Sequence, residues 1–310
     1  MSDDITHLFL GLIGVLVAAS SVAYLLSWRS SKPLPPSLIK LNTRIKAWWV
    51  IVAVISTAFV FGKGGVIILF SFVSFAALRE YMTLTKTHYA DRWTMLGMFL
   101  VVIPVQYYLI WIDWYGLYSI FIPVYCFLAM PAITAIRGDT SRFLERVSEQ
   151  QWGIMLSVYC ISHVPALVIL PIPDYKSRGL LLIAFLIATV QGSDVLQYIF
   201  GKLFGRHRGL PNVSPSKTWE GLIGGIVSAS LLGVGLYWLT PFSPVQAGLL
   251  AVLVSLMGFL GGLVASAIKS NLGVKDWGHM IEDHGGMLDR TDSLVFAASV
   301  FFRIVRYTWR

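Results

Sequence analysis

The amino-acid sequence predicts an all-α, polytopic integral membrane protein with about ten transmembrane helices. Composition, hydropathy and run length all predict it. Of the 310 residues, 56% are hydrophobic and only 13% are charged, where soluble domains carry about 25% charged residues. Mean hydropathy is +0.71. The apolar residues fall into runs of about 20, the length needed to cross roughly 30 Å of hydrocarbon. So few charges cannot cover a water-soluble surface, which makes the bilayer much of this chain's solvent.

The first run, 6–27, follows Met1-Ser2-Asp3-Asp4. That start is acidic where a secretory signal peptide is basic, so the run is read as a retained helix. The Pro-rich loop Ser31-Lys32-Pro33-Leu34-Pro35-Pro36 comes next. Runs at 47–62 and 65–83 are parted by Gly62-Lys63-Gly64, a tight turn. Arg79 and Glu80, near the inner end of the third run, are adjacent and face different sides. They read as a snorkelling pair or a structural ion pair. Runs at 94–112, 115–136 and 153–172 complete an N-terminal set, 1–178. Trp48-Trp49 and Trp111 with Trp114 mark interface belts, and His163 beside Pro165 marks a packed polar group at a kink. Runs at 179–200, 219–240, 246–268 and 289–306 form a C-terminal set, 179–310, in one membrane domain with the first. Cys126 and Cys160 lie inside apolar runs, as small core residues do, and suggest no disulfide or metal framework.

The net charge of +8 is spread over loops and makes no single patch. That pattern fits membrane topology and anionic headgroups. With the N-terminus outside, 17 of the 24 Lys and Arg fall in inner loops, six fall outside, and Arg79 lies within a span. The bias predicts N-out, C-out. It places 201–218 and 269–293 on the cytosolic side, where nucleotides and Mg²⁺ are available. The expected location is the inner, cytoplasmic membrane of a bacterium.

Polar chemistry concentrates in three segments. Residues 266–293 hold five acids, two Lys, one Arg and two His. Ser266 and Lys269 are three apart on a helix leaving the membrane and share a face. Asp289 and Asp292 are also three apart, at the start of the last helix, where their carboxylates can converge on one cation. Mg²⁺ commonly takes one or two carboxylates plus substrate phosphates. The glycines of His284-Gly285-Gly286 allow a sharp turn or close approach to a phosphate. Capping of the last helix would explain one acid well, but two acids with Arg290 and Gly-Gly poorly. In the second segment, Ser214 before Pro215 reads as a helix N-cap with Pro at N1. Lys217 and Thr218 would then meet a phosphate at the helix start; an interfacial anchor is the alternative. In the third, Asp194 of Gln191-Gly192-Ser193-Asp194 follows a long apolar run. It lines a polar cavity or, if the helix ends near Ser193, occupies a simple turn.

Lys275-Asp276 followed by His284-Gly285-Gly286, Asp289-Arg290 and Asp292-Ser293 resembles the signature of the phosphatidate cytidylyltransferase (CDP-diacylglycerol synthase) family, which Ser266 and Lys269 open. Ser214-Pro215, Lys217-Thr218-Trp219-Glu220-Gly221 and Gly192-Ser193-Asp194 resemble the family's preceding segments. The similarity spans about 190–295. It departs at Ser270, where the family has Arg, at Glu282-Asp283, where it has Pro-Gly, and at Val195-Leu196-Gln197. These departures leave the lipid acceptor open.

The resemblance implies cytidylyl transfer from CTP to phosphatidate with Mg²⁺, and leaves the presence of a second cation open. In that scheme Asp289 and Asp292 hold the metal, with Asp194 and Asp276 as further ligands or orienting groups. Lys217, Lys269, Lys275 and Arg290 neutralise phosphates, and His284 orients a phosphate or the metal shell. Ser214, Thr218, Ser266, Gly285 and Gly286 line the substrate site. The implied partners are phosphatidate or a related lipid phosphate, CTP and membrane lipids, with a homodimer allowed and no nucleic acid. The alternatives are the same transfer to another lipid or isoprenoid alcohol phosphate, or a transporter or catalytically silent scaffold.

Overall fold

The computed structural model describes residues 3–29, 35–85, 88–173, 175, 178–210, 214–278, 280 and 285–309. Each of the ten apolar windows is helical. The first six helices are α1 (Asp3–Arg29), α2 (Pro36–Val60), α3 (Gly62–Leu84), α4 (Arg92–Trp111), α5 (Tyr115–Ile136) and α6 (Phe143–Ile169). The last four are α7 (Gly179–Phe204), α8 (Trp219–Gly235), α9 (Pro244–Leu272) and α10 (Met287–Trp309). Among the described residues, seven helices are long and apolar enough to cross a membrane by length and composition. These are α1, α3 to α7 and α9. The apolar part of α2, Ile45–Val60, and α8 are shorter. α10 carries Asp289, Arg290, Asp292, Arg303 and Arg306, charges that dilute its hydropathy.

Loop contacts show that α3 to α10 run between the same two ends. At one end Lys63 donates to the Trp111 carbonyl (2.8 Å) and to Asp113 (2.6 Å). There too Tyr175 donates to the Leu239 carbonyl, Arg303 donates to Tyr115 (3.2 Å), and Trp309 packs on Phe242. At the other end Arg146 pairs with Asp91 (3.6 Å) and Asp139 (2.7 Å), and Glu80 meets the start of α10.

Two helices begin before their apolar windows. α2 starts at Pro36, where a missing N–H costs nothing. α6 starts at Phe143, and its first turns bury Gln150 and also Arg146, whose pairing with Asp91 and Asp139 a hydropathy window cannot register. Wide π-type turns interrupt α4 at Met98–Val102, beside Pro104, and α5 at Phe121–Cys126, which contains Pro123. A third, Met155–Cys160, precedes Pro165, and His163 is buried there with Nδ1 2.8 Å from the Tyr159 carbonyl. An antiparallel ribbon of β1 (Arg208–Leu210) and β2 (Ser214–Thr218) joins α7 to α8.

Helices α7 to α10 pack together, and α10 also lies against α3 and α6. α9 presents Gly258, Gly261 and Gly262 to α10. A Cβ on Gly261 would stand 2.7 Å from the Asp292 carbonyl oxygen, so the two backbones meet only because side chains are missing there. Phe72, Leu100, Leu128 and Leu231 point outward, as lipid-facing residues do.

Candidate active site

Three of the expected groups converge where α7, α9, α10 and β2 meet. Asp194 lies inside α7, which continues to Phe204. The alternative of a helix ending near Ser193 is therefore overturned. Asp292 is on the second turn of α10, and its Oδ1 accepts from the Ser293 backbone N–H (2.7 Å) and hydroxyl (3.3 Å). The same hydroxyl is within hydrogen-bonding reach of Asp194. Lys217, near the end of β2, leans inward until its Nζ is 4.5 Å from the Phe259 ring centre. A Cβ on Gly262 would be 3.2 Å from that Nζ and 3.8 Å from Ser293 Oγ. The bare glycine thus leaves room for an ammonium beside two carboxylates. Burial pushes the Lys217 ammonium below the ordinary lysine range, while Asp194 and Asp292 oppose that shift.

A second group lies closer to the loop end. Lys269, in the last turn of α9, donates to Asp289 Oδ1 (2.8 Å). Asp289 Oδ2 accepts from the backbone N–H of Trp277 (2.8 Å) and of Gly286 (2.9 Å). Asp289 therefore organises the loop that precedes it, with both oxygens engaged. Gly285 has φ of +75°, and a Cβ there would stand 2.7 Å from Asp289 Oδ2. The N–H groups of Gly286, Met287 and Leu288 all point to carboxylates: Asp289 takes the first, and Glu80 takes the other two. The glycine pair thus seats two carboxylates of this chain, where a phosphate was one expected occupant. Ser266 donates to the Gly262 carbonyl (2.7 Å) within its own helix. Lys275 and Asp276 are exposed on the loop, and Arg290 is half-buried in the first turn of α10. His284 lies outside the described residues.

The expected helix start at Ser214-Pro215 is corrected. Ser214 belongs to β2, opposite Leu210, and α8 begins at Trp219. Thr218 is the N-cap, its hydroxyl accepting from Gly221 N–H (3.1 Å). Ribbon pairing extends Ser214–Thr218, and the helical turn starts only where Thr218 can cap it. This extension carries Lys217 to the acids. Arg79 is exposed and Glu80 is buried, with no ion pair between them among the described residues. Sequence reasoning gave neither Glu80 nor Ser293 a part in the site, reading Glu80 instead as half of a snorkelling or structural ion pair with Arg79. Glu80 stood out as an acid in an apolar run, but its partner lies 207 residues away. Ser293 stood inside the quoted motif.

The donor set suits a hard divalent cation. Among the described residues no three His, Cys, Asp or Glu gather to hold a metal unaided. Asp194 and Asp292 share Ser293 between them and could hold such a cation only if phosphate and water oxygens filled its remaining positions. That is how Mg²⁺ is usually bound.

Residues 42–308 match the cytidylyltransferase family. The chain is 39% identical over 299 residues to the uncharacterized protein YnbB of Escherichia coli K12, covering 96% of each chain. It is 40% identical over 135 residues to a phosphatidate cytidylyltransferase of Synechocystis, covering 43% of this chain and 46% of that one. It is 29% identical over 262 residues to a phosphatidate cytidylyltransferase of Staphylococcus saprophyticus, covering 82% of this chain and 95% of that one.

Proposed function

This chain belongs to the cytidylyltransferase family, and on that basis we propose that it joins CTP to phosphatidate, giving CDP-diacylglycerol and pyrophosphate at the cytosolic face of the membrane. The observation that carries this reading is the inward Lys217 ammonium set against Asp194 and Asp292. The named activity of the Synechocystis and Staphylococcus relatives supports the choice of phosphatidate.

The two substrates are both polyanions, so the site must lower their mutual repulsion before it can align them. Lys217, Lys269, Lys275 and Arg290 supply positive charge for the phosphates. Asp194 and Asp292 would hold Mg²⁺, which supplies charge neutralisation and polarises phosphoryl oxygens when bound. Asp289 keeps Lys269 and the loop in place, Asp276 lies on the loop, and His284 is assigned by the family resemblance to orienting a phosphate or the metal shell. A lipid phosphate oxygen attacks the α-phosphorus of CTP in line, and pyrophosphate leaves with the bonding pair. No covalent intermediate on the protein is needed; positioning and electrostatics provide the catalysis.

The test uses purified full-length protein with labelled CTP, phosphatidate and Mg²⁺, and a panel of other lipid and isoprenoid phosphates. The expected result is CDP-diacylglycerol and pyrophosphate in equal amounts, with phosphatidate the preferred acceptor. Asp292→Asn should lower turnover by about 10²-fold or more. Absence of any CDP-lipid, or wild-type turnover in Asp292→Asn, would reject the mechanism. Preference for another acceptor would reject phosphatidate alone.

A further inference from the structure

We infer that Glu80, on α3 in the N-terminal half, is a positioning residue for the acids of α10; its activity readout rests on the cytidylyl-transfer reading above. Among the described residues ahead of Met287, Gly285 and Gly286 carry no side chain that can accept a hydrogen bond, and within α10 Asp289 takes the Gly286 N–H and leaves those of Met287 and Leu288 to another partner. Glu80 supplies the cap from another helix. Its Oε1 accepts from Met287 N–H (2.8 Å) and its Oε2 from Leu288 N–H (2.9 Å). A carboxylate at a helix N-terminus satisfies free donors and complements the helix dipole. Glu80 is only 7% exposed, so water cannot take its place cheaply.

The fit is specific to this loop. Any side chain on Gly286 would collide with the Glu80 carboxylate, and a Cβ on Gly278 would stand 3.0 Å from it. Next to Glu80, Tyr81 stacks on Trp277 with ring centres 5.4 Å apart. Trp277 is 1% exposed, and its backbone N–H is one of the three donors to Asp289 among the described residues. The inner end of α3 therefore makes two contacts here, a carboxylate on the start of α10 and a ring on Trp277. Asp289 and Asp292 lie one and four residues beyond Leu288. Their placement relative to Lys269, Lys217 and Asp194 is set by a helix start that Glu80 fixes.

Glu80→Gln tests this in the full-length protein. The amide keeps the size but offers one acceptor oxygen where two N–H groups need one each. Amide exchange at residues 286–288 should rise about tenfold while exchange in α4 and α5 stays as in wild type. Turnover should fall about 100-fold, with KM for CTP within about threefold. Arg79→Gln, an exposed neighbour outside the site, should keep wild-type turnover. Unchanged exchange at 286–288, or turnover within about twofold of wild type, overturns the inference. If Glu80→Gln does not yield folded protein, Glu80→Asp replaces it: turnover at least about tenfold down supports the inference, and wild-type turnover overturns it. Should wild-type protein make no CDP-lipid, cytidylyl transfer fails, and the exchange data alone decide whether Glu80 holds the helix start.

Discussion

Lys217 shows how one side chain reports its surroundings. Its ammonium sits over the Phe259 ring near two carboxylates, and burial pulls its pKa below the ordinary lysine range. The protonated form, which neutralises phosphate, is then lost at lower pH than for an exposed lysine. Turnover should fall on the alkaline side for that reason. Arginine cannot lose its proton in this range. Lys217→Arg should therefore move the alkaline limb of the turnover profile to higher pH, even at lower absolute activity. A limb that stays in place assigns the titration to another group. Asp289 illustrates the opposite situation. Sequence reasoning paired it with Asp292 as a cation ligand, and the structure gives it Lys269, Trp277 and Gly286 as partners. The two carboxylates are three residues apart, yet one organises the loop and the other faces the half-buried lysine.

At the scale of elements, the site depends on the close crossing of α9 and α10. Gly258, Gly261 and Gly262 allow it, since each would place a Cβ within 4 Å of α10 or of Lys217. At Gly261 the obstacle is the Asp292 backbone oxygen itself, which no side-chain rotation can relieve. Gly261→Ala should push α10 outward and lower turnover about tenfold or more, with the protein still extracted as a folded species. Turnover equal to wild type would mean that the helices adjust without moving Asp292. The ribbon of β1 and β2 is the other decisive element. Hydropathy and motif reading saw Ser214-Pro215 as a helix start, because Ser and Pro favour such positions. Thr218 is a cap residue of the same kind, and tertiary pairing with Arg208–Leu210 decided between them.

Over the whole molecule, the loop contacts separate two ends, and the candidate site occupies one of them. Positive charge predicts that this end is cytosolic. A single cysteine placed at Lys275 in a chain lacking Cys126 and Cys160 should react with a membrane-impermeant thiol reagent only from the cytosolic side. One placed at Lys63, in the opposite layer, should react only from outside. The reverse pattern would invert the protein and remove its site from cytosolic CTP.

The ten helical segments were legible because a span must bury about 20 residues in lipid, and that demand is local in sequence. The motif acids and lysines were legible because their types and spacing are also local. The signals ran out at contacts between distant parts of the chain. Glu80 capping α10, Lys217 reaching Asp194, and the engagement of Asp289 with Lys269 join residues 20 to 207 positions apart or elements with no shared periodicity. The sequence by itself determined a membrane-embedded helical protein with acids and lysines gathered near its C-terminal spans. Only the tertiary structure decided which carboxylate faces the half-buried lysine and which ones hold the loop, because hydrogen-bond geometry and burial are fixed by packing between helices.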